Sequence, residues 1–425
     1  MHILSISPHF SSNGVTLHVE ALNKRLVQNG HRVTSIALSV TNPVIEQWYG
    51  QQRVSHSHAV PGGNWFEQKM RLIDAAIGSF NQNIVERVDL IHSHDWLAGR
   101  AASLLSEKLG CPHLATIHTL TELQRQAVGL PGNLPVHAGQ VQLEKELCSS
   151  PDAIITVSRD MAKKIRALAA PGKTPRIEVI PNGVTADSPE MPRPIKSNFL
   201  RQEFAPQKEP LVLFMGRLAP QKGVEFLLAS SFMVRKSRPD TRWIIAGDHV
   251  ASHMMRPQYE QVLQQGGFRD HVHFVGEIPH RDVIAYYRAA DCLVVPSLFE
   301  GCPYVVLEAM RNGIPIVASD LPCFREILTD RETALLVPCE ELNGTRGPDV
   351  NLLARAQLEI LDNSCLANSL TTAAAQVVRE EYPLARQLER TLKAYTQAAD
   401  MQFAATDARQ REAGDSGIRL GQGSA

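Results

Sequence analysis

Two doubly wound α/β domains, each built on a parallel sheet covered on both faces, are what this sequence predicts. Three observations carry the prediction. The chain has 425 residues, more than one ordinary hydrophobic core fills. Short β-branched runs without polar alternation recur along both halves, as in strands buried on both faces. Helix-period segments separate those runs, and that alternation builds parallel sheets.

In the first half the strands read as HILSI (2–6), RVTSIAL (32–38), VDLIH (88–92), HLATI (113–117), DAIITV (152–157) and IEVI (177–180). Between the first two, Val15, Val19, Leu22 and Leu26 mark one helix face, and Gly30 closes it as a C-cap. The scheme repeats with LVLFM (211–215), WIIAG (243–247), VHFVG (272–276), CLVVP (292–296), PIVAS (315–319) and ALLVP (334–338). DSPEMPRPIK (187–196), with three prolines and no apolar period, reads as an exposed, semi-rigid linker. The expected division is a first domain over 1–186, a linker and lead-in over 187–209 and a second domain over 210–380. A last helical stretch covers 381–400, and the glycine- and charge-rich tail 401–425 reads as disordered.

Composition excludes several classes. No apolar run approaches the ~18 residues of a membrane span, and MHILSISPHF lacks the basic, then apolar, regions of a secretory signal. The seven cysteines are scattered, with no C-x-x-C pair, which fits a reducing cytosol and neither a disulfide framework nor a zinc site. A net charge of −1 gives no nucleic-acid surface. The expectation is a cytoplasmic protein.

In open parallel sheets ligands bind beyond the carboxyl ends of the strands. The first strand leads through SPHFSSNGV to Gly14 at a helix start. The strand at 211–215 leads into GRLAPQKGV, with Arg217 and Lys222 just before another helix. Free N–H groups there, flanked by two cations, suit a diphosphate, although the Lys-Ser/Thr ending of a Walker loop is missing. The strand at 292–296 leads into FEGCPYVVLEAM, where Glu300 and Glu308 lie eight positions apart. Pro303 fits the first helical position, so Glu308 falls about one and a half turns inside the helix. Carboxylates beside a diphosphate are tolerated where they accept from hydroxyls: Glu308 from a ribose diol, Glu300 from others nearby. A sugar joined to a nucleoside diphosphate presents hydroxyls at both ends and an anion between. Two glutamates at this spacing also occur as solvated carboxylates on a helix.

PSLFEGCPYVVLEAMRNGIPIVASD resembles the E-x7-E signature of the family-4 retaining glycosyltransferases, whose fold is GT-B: two Rossmann-like domains facing a cleft. FMGRLAPQKG, VIPNGV, DAIITVSRDM, IHSHDW and ATIH fall in the order of that family's own blocks, and together these segments cover most of residues 2–340. The resemblance implies that Arg217 and Lys222 bind the donor diphosphate and stabilise the leaving group. It implies that Glu308 holds the ribose and Glu300 the sugar hydroxyls. Gly301, Cys302, Pro303 and Tyr304 would form the donor turn, with the Cys302 and Tyr304 amides near phosphate or sugar. Gly14 would let the amino-terminal loop approach the donor closely, and His118 would hydrogen-bond the transferred sugar. Asp95 and Trp96 would shape the domain, and HSH (92–94) reads as strand-end packing rather than a metal site. No cofactor is implied, since the nucleotide sugar is a substrate. No D-x-D occurs, so no metal is expected.

Two departures stand out. The paired glycines common in the family's amino-terminal loop are reduced to Gly14, and Pro303 replaces a common glycine, removing an N–H donor. EEYPLARQL (380–388) resembles only loosely the segment that sends a helix back to the first domain. A GT-B epimerase or inverting transferase would lack the E-x7-E turn, and a non-catalytic GT-B binding protein would have lost Arg217, Lys222 or Glu308; all three are present. The acceptor, whether glycan, lipid-linked sugar or small molecule, is expected against segments 41–80 and 119–144, which carry no decodable pattern. Lys163, Lys164 and Arg166 read either as a solvated helix face or as a weak contact to anionic lipid.

Overall fold

The structure is a computed structural model that describes residues 1–8, 14–39, 46–58, 63–83, 87–130, 137–172, 175–185, 195–247, 252–342 and 345–400. Most of the proline-rich linker, the serine-rich approach to Gly14 and the tail 401–425 lie outside these residues.

The first sheet contains β1 (His2–Ser7), β2 (Arg32–Ser39), β3 (Glu46–Tyr49), β4 (Gln52–His58), β5 (Leu90–His94), β6 (His113–Ile117), β7 (Ala153–Thr156) and β8 (Arg176–Val179). Their spatial order is β3-β4-β2-β1-β5-β6-β7-β8. Every pairing is parallel except β3 with β4. Strand faces alternate as burial requires. Leu4, Ile6, Ile36, Leu38 and Ile91 pack under α2 (Trp65–Asn83) and α3 (Asp95–Leu109). Ile3, Val33 and Leu90 face the other way, under α1 (Gly14–Gln28). That second face is completed by a late helix, residues 384–400, through Leu388, Ala394, Tyr395 and Ala398. The chain reaches this helix through a bridge between Val184 and Pro383.

The second sheet contains β9 (Leu211–Met215), β10 (Arg242–Ala246), β11 (Val272–Gly276), β12 (Cys292–Val295), β13 (Ile316–Ser319) and β14 (Leu335–Val337), ordered β11-β10-β9-β12-β13-β14. All its pairings are parallel. Both sheets therefore have a switch point, between β1 and β5 in the first and between β9 and β12 in the second. Successive crossovers leave in opposite directions there and open a crevice at the strand ends.

Several details differ from the sequence reading. β5 runs on to His94, because His92, Ser93 and His94 are buried with polar partners and their polarity does not end the strand. The edge pair β3–β4 and a hairpin of β15 (Cys339–Leu342) and β16 (Thr345–Pro348) were not anticipated; both are short and lack apolar periodicity. Pro303 is the N-cap of α11 (Tyr304–Asn312) rather than its first helical residue, since its ψ of 118° is extended. No helix among the described residues is long and apolar enough to cross a membrane.

Candidate active site

The two loops leaving the second sheet's switch point are pressed together. After β9 the chain makes a 3-10 turn, Pro220–Lys222, then Gly223 at φ 66° starts α8 (Val224–Ser237). A Cβ on Gly223 would stand 2.0 Å from the Pro296 carbonyl oxygen, so no other residue fits without moving backbone. Leu298 N–H donates to the Gln221 carbonyl at 2.9 Å, tying the loops by their backbones. The side chains meet as well: Lys222 Nζ lies 2.5 Å from Glu300 Oε1, which also accepts from Ser297 Oγ at 2.8 Å. The Lys222 side chain is 19% exposed and that of Glu300 10%, so this ion pair is largely shielded from solvent. Arg217 is exposed and has no ion-pair partner among the described residues. One of the two expected phosphate-binding cations is thus free and the other is shared with a carboxylate.

Glu308 projects from α11 and accepts from the Tyr287 hydroxyl at 2.8 Å. Burial holds its carboxyl above the usual carboxylate range, and the Tyr287 hydrogen bond pulls it partly back. Tyr287 lies on α10 (His280–Ala289). Burial first and then Glu308 raise its phenol well above the ordinary value, so the pair holds a proton tightly.

Across the interface the first domain presents His118, just past β6. Its backbone N–H donates to Asp95 Oδ1 at 2.8 Å. Asp95 opens α3 with φ 60°, a conformation a non-glycine residue holds at a cost of about 1–3 kcal/mol. Its carboxyl is pushed up to about 7 by burial, although the His118 N–H opposes this. The second domain's turn reaches the same place: a Cβ on Gly301 would lie 2.3 Å from the His118 carbonyl oxygen.

His118 is one of four packed imidazoles. His94 Nδ1 and His118 Nε2 share a hydrogen bond at 3.2 Å, His18 meets His118 edge-on at 4.6 Å, and His92 lies 4.3 Å from His94 between ring centres. Burial keeps all four below the ordinary histidine value, His18 at about 4. At neutral pH they are uncharged donors and acceptors. His18, His94 and His118 bring one ring nitrogen each within 4.8 Å of one another, and they are the one group among the described residues with metal-ligand spacing. His92 is committed instead to Tyr395 and Thr116, both at 2.7 Å.

Of the sequence-predicted residues, Lys222, Glu300, Gly301 and His118 are brought into one place. Glu308 lies farther along α11. Gly14 approaches the same helix, where an added Cβ would stand 3.6 Å from Tyr304 Cδ2. Cys302 and Tyr304 are held to the first domain: Asn182 Nδ2 donates to the Cys302 carbonyl at 2.8 Å, and the Tyr304 hydroxyl lies 3.3 Å from His18 Nδ1. His18 Nδ1 also lies 3.0 Å from Asn182 Oδ1 and 3.1 Å from Gln387 Nε2. Sequence reasoning gave no role to His18, Asn182, Ser297, Tyr287 or Gln387. The one available signal was position, because His18 follows Gly14 by one turn and Asn182 sits in the VIPNGV block.

Known proteins match this arrangement over nearly its whole length. The family model described as Glycosyltransferase Family 4 matches residues 12–188, and that for Glycosyl transferases group 1 matches 196–376. A D-inositol 3-phosphate glycosyltransferase of Xylanimonas cellulosilytica is 27% identical over 341 residues, 77% of this chain and 80% of that protein. Sucrose-phosphate synthase from Thermosynechococcus elongatus superposes with a TM-score of 0.79 at 24% identity, covering 95% of this chain and 99% of that one. Anabaena HepE in complex with UDP-glucose gives 0.74 at 16% identity, over 93% of this chain and 100% of the other. With one model on each sheet and both sheets shared with these folds, the chain belongs to the family-4 glycosyltransferases of GT-B fold.

Proposed function

We propose that this glycosyltransferase moves a sugar from a UDP-sugar to an acceptor hydroxyl with retention of anomeric configuration and without a metal ion. The observation that carries the reading is the meeting of Lys222, Glu300 and the His118 loop at the switch-point crevice. HepE, which shares the fold, was solved with UDP-glucose, and this favours uridine over other nucleotides.

Breaking the anomeric C–O bond builds negative charge on the diphosphate. Arg217, Lys222 and the start of α8 face that charge in advance, so they favour the transition state over the ground state. A diphosphate arriving at Lys222 competes with Glu300, and the displaced carboxylate is then free to accept from sugar hydroxyls. Glu308 serves the ribose. His118, kept neutral chiefly by burial, hydrogen-bonds the sugar and is not a proton donor at neutral pH. The acceptor attacks from the leaving-group side, so no carboxylate nucleophile is needed.

We place the protein in the cytoplasm. Its basic helix α6 (Arg159–Leu168) offers at most a weak membrane contact, since Lys164 is paired with Asp160 at 2.6 Å.

The test is a screen of UDP-, GDP- and ADP-sugars read by donor hydrolysis, with the anomeric product followed by NMR. Turnover with a UDP-sugar should be retained in EDTA. Loss in EDTA with recovery on Mn²⁺, or an inverted product, overturns the corresponding part of the reading.

A further inference from the structure

We propose that Arg125 receives an anionic group, phosphate or carboxylate, on the acceptor, so that the second substrate of this enzyme is negatively charged. The inference rests on the transferase reading above and names its second substrate class.

Arg125 lies on α4 (Thr121–Ala127), which begins three residues after His118. Leu123 and Ala127 of this helix pack onto the core around Ile117, Leu147 and Ile154. Arg125 is two residues from each, about 200° around the helix, and so points away from that core. It is nevertheless only 7% exposed. Its Nε, Nη1 and Nη2 are all buried without a hydrogen-bond partner.

The neighbouring acids do not compensate it. Glu122, one turn earlier, faces Lys145 at 3.7 Å. Glu144 accepts from Thr121 N–H at 2.9 Å and from Gln140 Nε2 at 3.0 Å. Asp95 is engaged by the His118 amide. A buried cation without a partner is costly, and a planar guanidinium is suited to two parallel bonds with phosphate or carboxylate.

The surroundings suit a polar ligand. The Arg125 charge acts on His137, whose ring meets Trp65 edge-on at 5.8 Å. Trp65 is 40% exposed and 6.0 Å from Trp96. Lys69 Nζ, a second cation without an ion-pair partner among the described residues, stands 6.0 Å from the Trp65 ring centre. Trp65, Trp96 and Arg125 each follow the carboxyl end of a first-sheet strand, on the crevice side. α4 also lies against the Pro220–Lys222 turn of the other domain, so parting of the domains opens the way to it. Arg217 and Lys222 serve the donor from the second domain, so an anion bound at Arg125 belongs to the other substrate.

The full-length protein is tested with UDP-glucose against glucose 6-phosphate, glucose 1-phosphate, an inositol phosphate, glucuronate, their neutral parents and vesicles containing phosphatidylinositol. UDP release should be stimulated by an anionic member and not by its neutral parent; a soluble or vesicle-borne winner identifies the source. Arg125→Leu should raise the KM for that anion at least about thirtyfold. Removing an uncompensated charge should leave its melting temperature in plain buffer equal or higher, and the thermal shift that inorganic phosphate gives the wild type should vanish. A panel in which the donor turns over but no anion is preferred over its parent overturns the proposal. So does an Arg125→Leu protein that melts lower yet keeps the phosphate shift, which is the behaviour of a packing residue. The phosphate shift needs no turnover, so failure of every donor sinks the transferase reading while leaving the anion site to stand or fall separately.

Discussion

At the residue scale the two glutamates of the E-x7-E turn have different partners and should fail differently. Glu308 is bonded to Tyr287 and is proposed to hold a ribose, whose bonding changes little in the reaction. Glu308→Gln should chiefly raise donor KM and weaken UDP binding. Glu300 neutralises Lys222. Glu300→Gln should chiefly lower kcat while UDP binds as tightly as to wild type or tighter, because the lysine no longer divides its charge. Calorimetry of UDP against both variants, beside steady-state kinetics, checks this; the opposite pattern reverses the roles. The identity of these residues was legible because charged types at strand ends stand out against apolar runs. The Lys222–Glu300 pair was not, since it depends on how two residues 78 positions apart in the chain are pressed together where Gly223 lets their loops meet.

At the element scale three glycines sit in the loops around the crevice, and only two are required by the protein's own packing. Gly301 and Gly223 each face a carbonyl oxygen too close for a Cβ, whereas Gly14 meets only Tyr304 at ordinary contact distance. Gly301→Ala should therefore push the donor turn off the His118 loop, and Gly223→Ala should cost about 1–3 kcal/mol through its positive φ as well. Gly14→Ala should melt within about 0.5 kcal/mol of wild type and still raise donor KM, if a ligand is what needs the space. Melting curves with kinetics on the three variants decide it; a Gly14→Ala protein that unfolds readily would show packing to be the reason. Long periodic strands were readable because both faces are apolar. The edge pair β3–β4 was not, because an edge strand needs no apolar period, and β5 was misplaced because buried histidines look like loop.

At the scale of the whole molecule, the first domain holds a set of buried, neutral histidines, with His113 at the amino end of β6 and the others toward the crevice. His18 at about 4 and His113 at about 3 sit below the ordinary histidine value of 6.5, and burial is the leading cause for both. His92, His94 and His118 are lowered in the same direction. An unfolded chain takes up these protons first, so stability present above pH 6.5 is lost as pH falls toward the folded values. Asp95 opposes this: raised from 3.8 to about 7, it favours the folded state at low pH and loses that contribution as pH rises through 7. Glu144, Glu225 and Glu308 are raised as well, but four carboxyls against nine lowered imidazoles leave the histidines ahead. The melting temperature should fall steadily between pH 7 and pH 5, and His113→Asn, away from the crevice rim and bonded to Ser93, should flatten the slope. A flat profile in the wild type would mean that the imidazoles take up protons alike in the folded and unfolded chain, and that burial does not lower them. The two-domain plan was readable from strand spacing alone. That helix 384–400 belongs to the first sheet was signalled only by the loose likeness of EEYPLARQL to a returning segment, because its apolar residues name no partner until the fold supplies one.

That late helix has a consequence for how the protein is made. The last strand of the first sheet ends at Val179 and the covering helix begins at residue 384. The ribosome therefore delivers the two roughly 200 residues apart, ~10–40 s at about 5–20 residues per second. Throughout that interval Ile3, Val33 and Leu90 lie on a face that Tyr395 and its neighbours have yet to close. The first domain emerges first and finishes last, and a chain cut short before residue 384 carries a bare apolar face by which chaperones and proteases can recognise it.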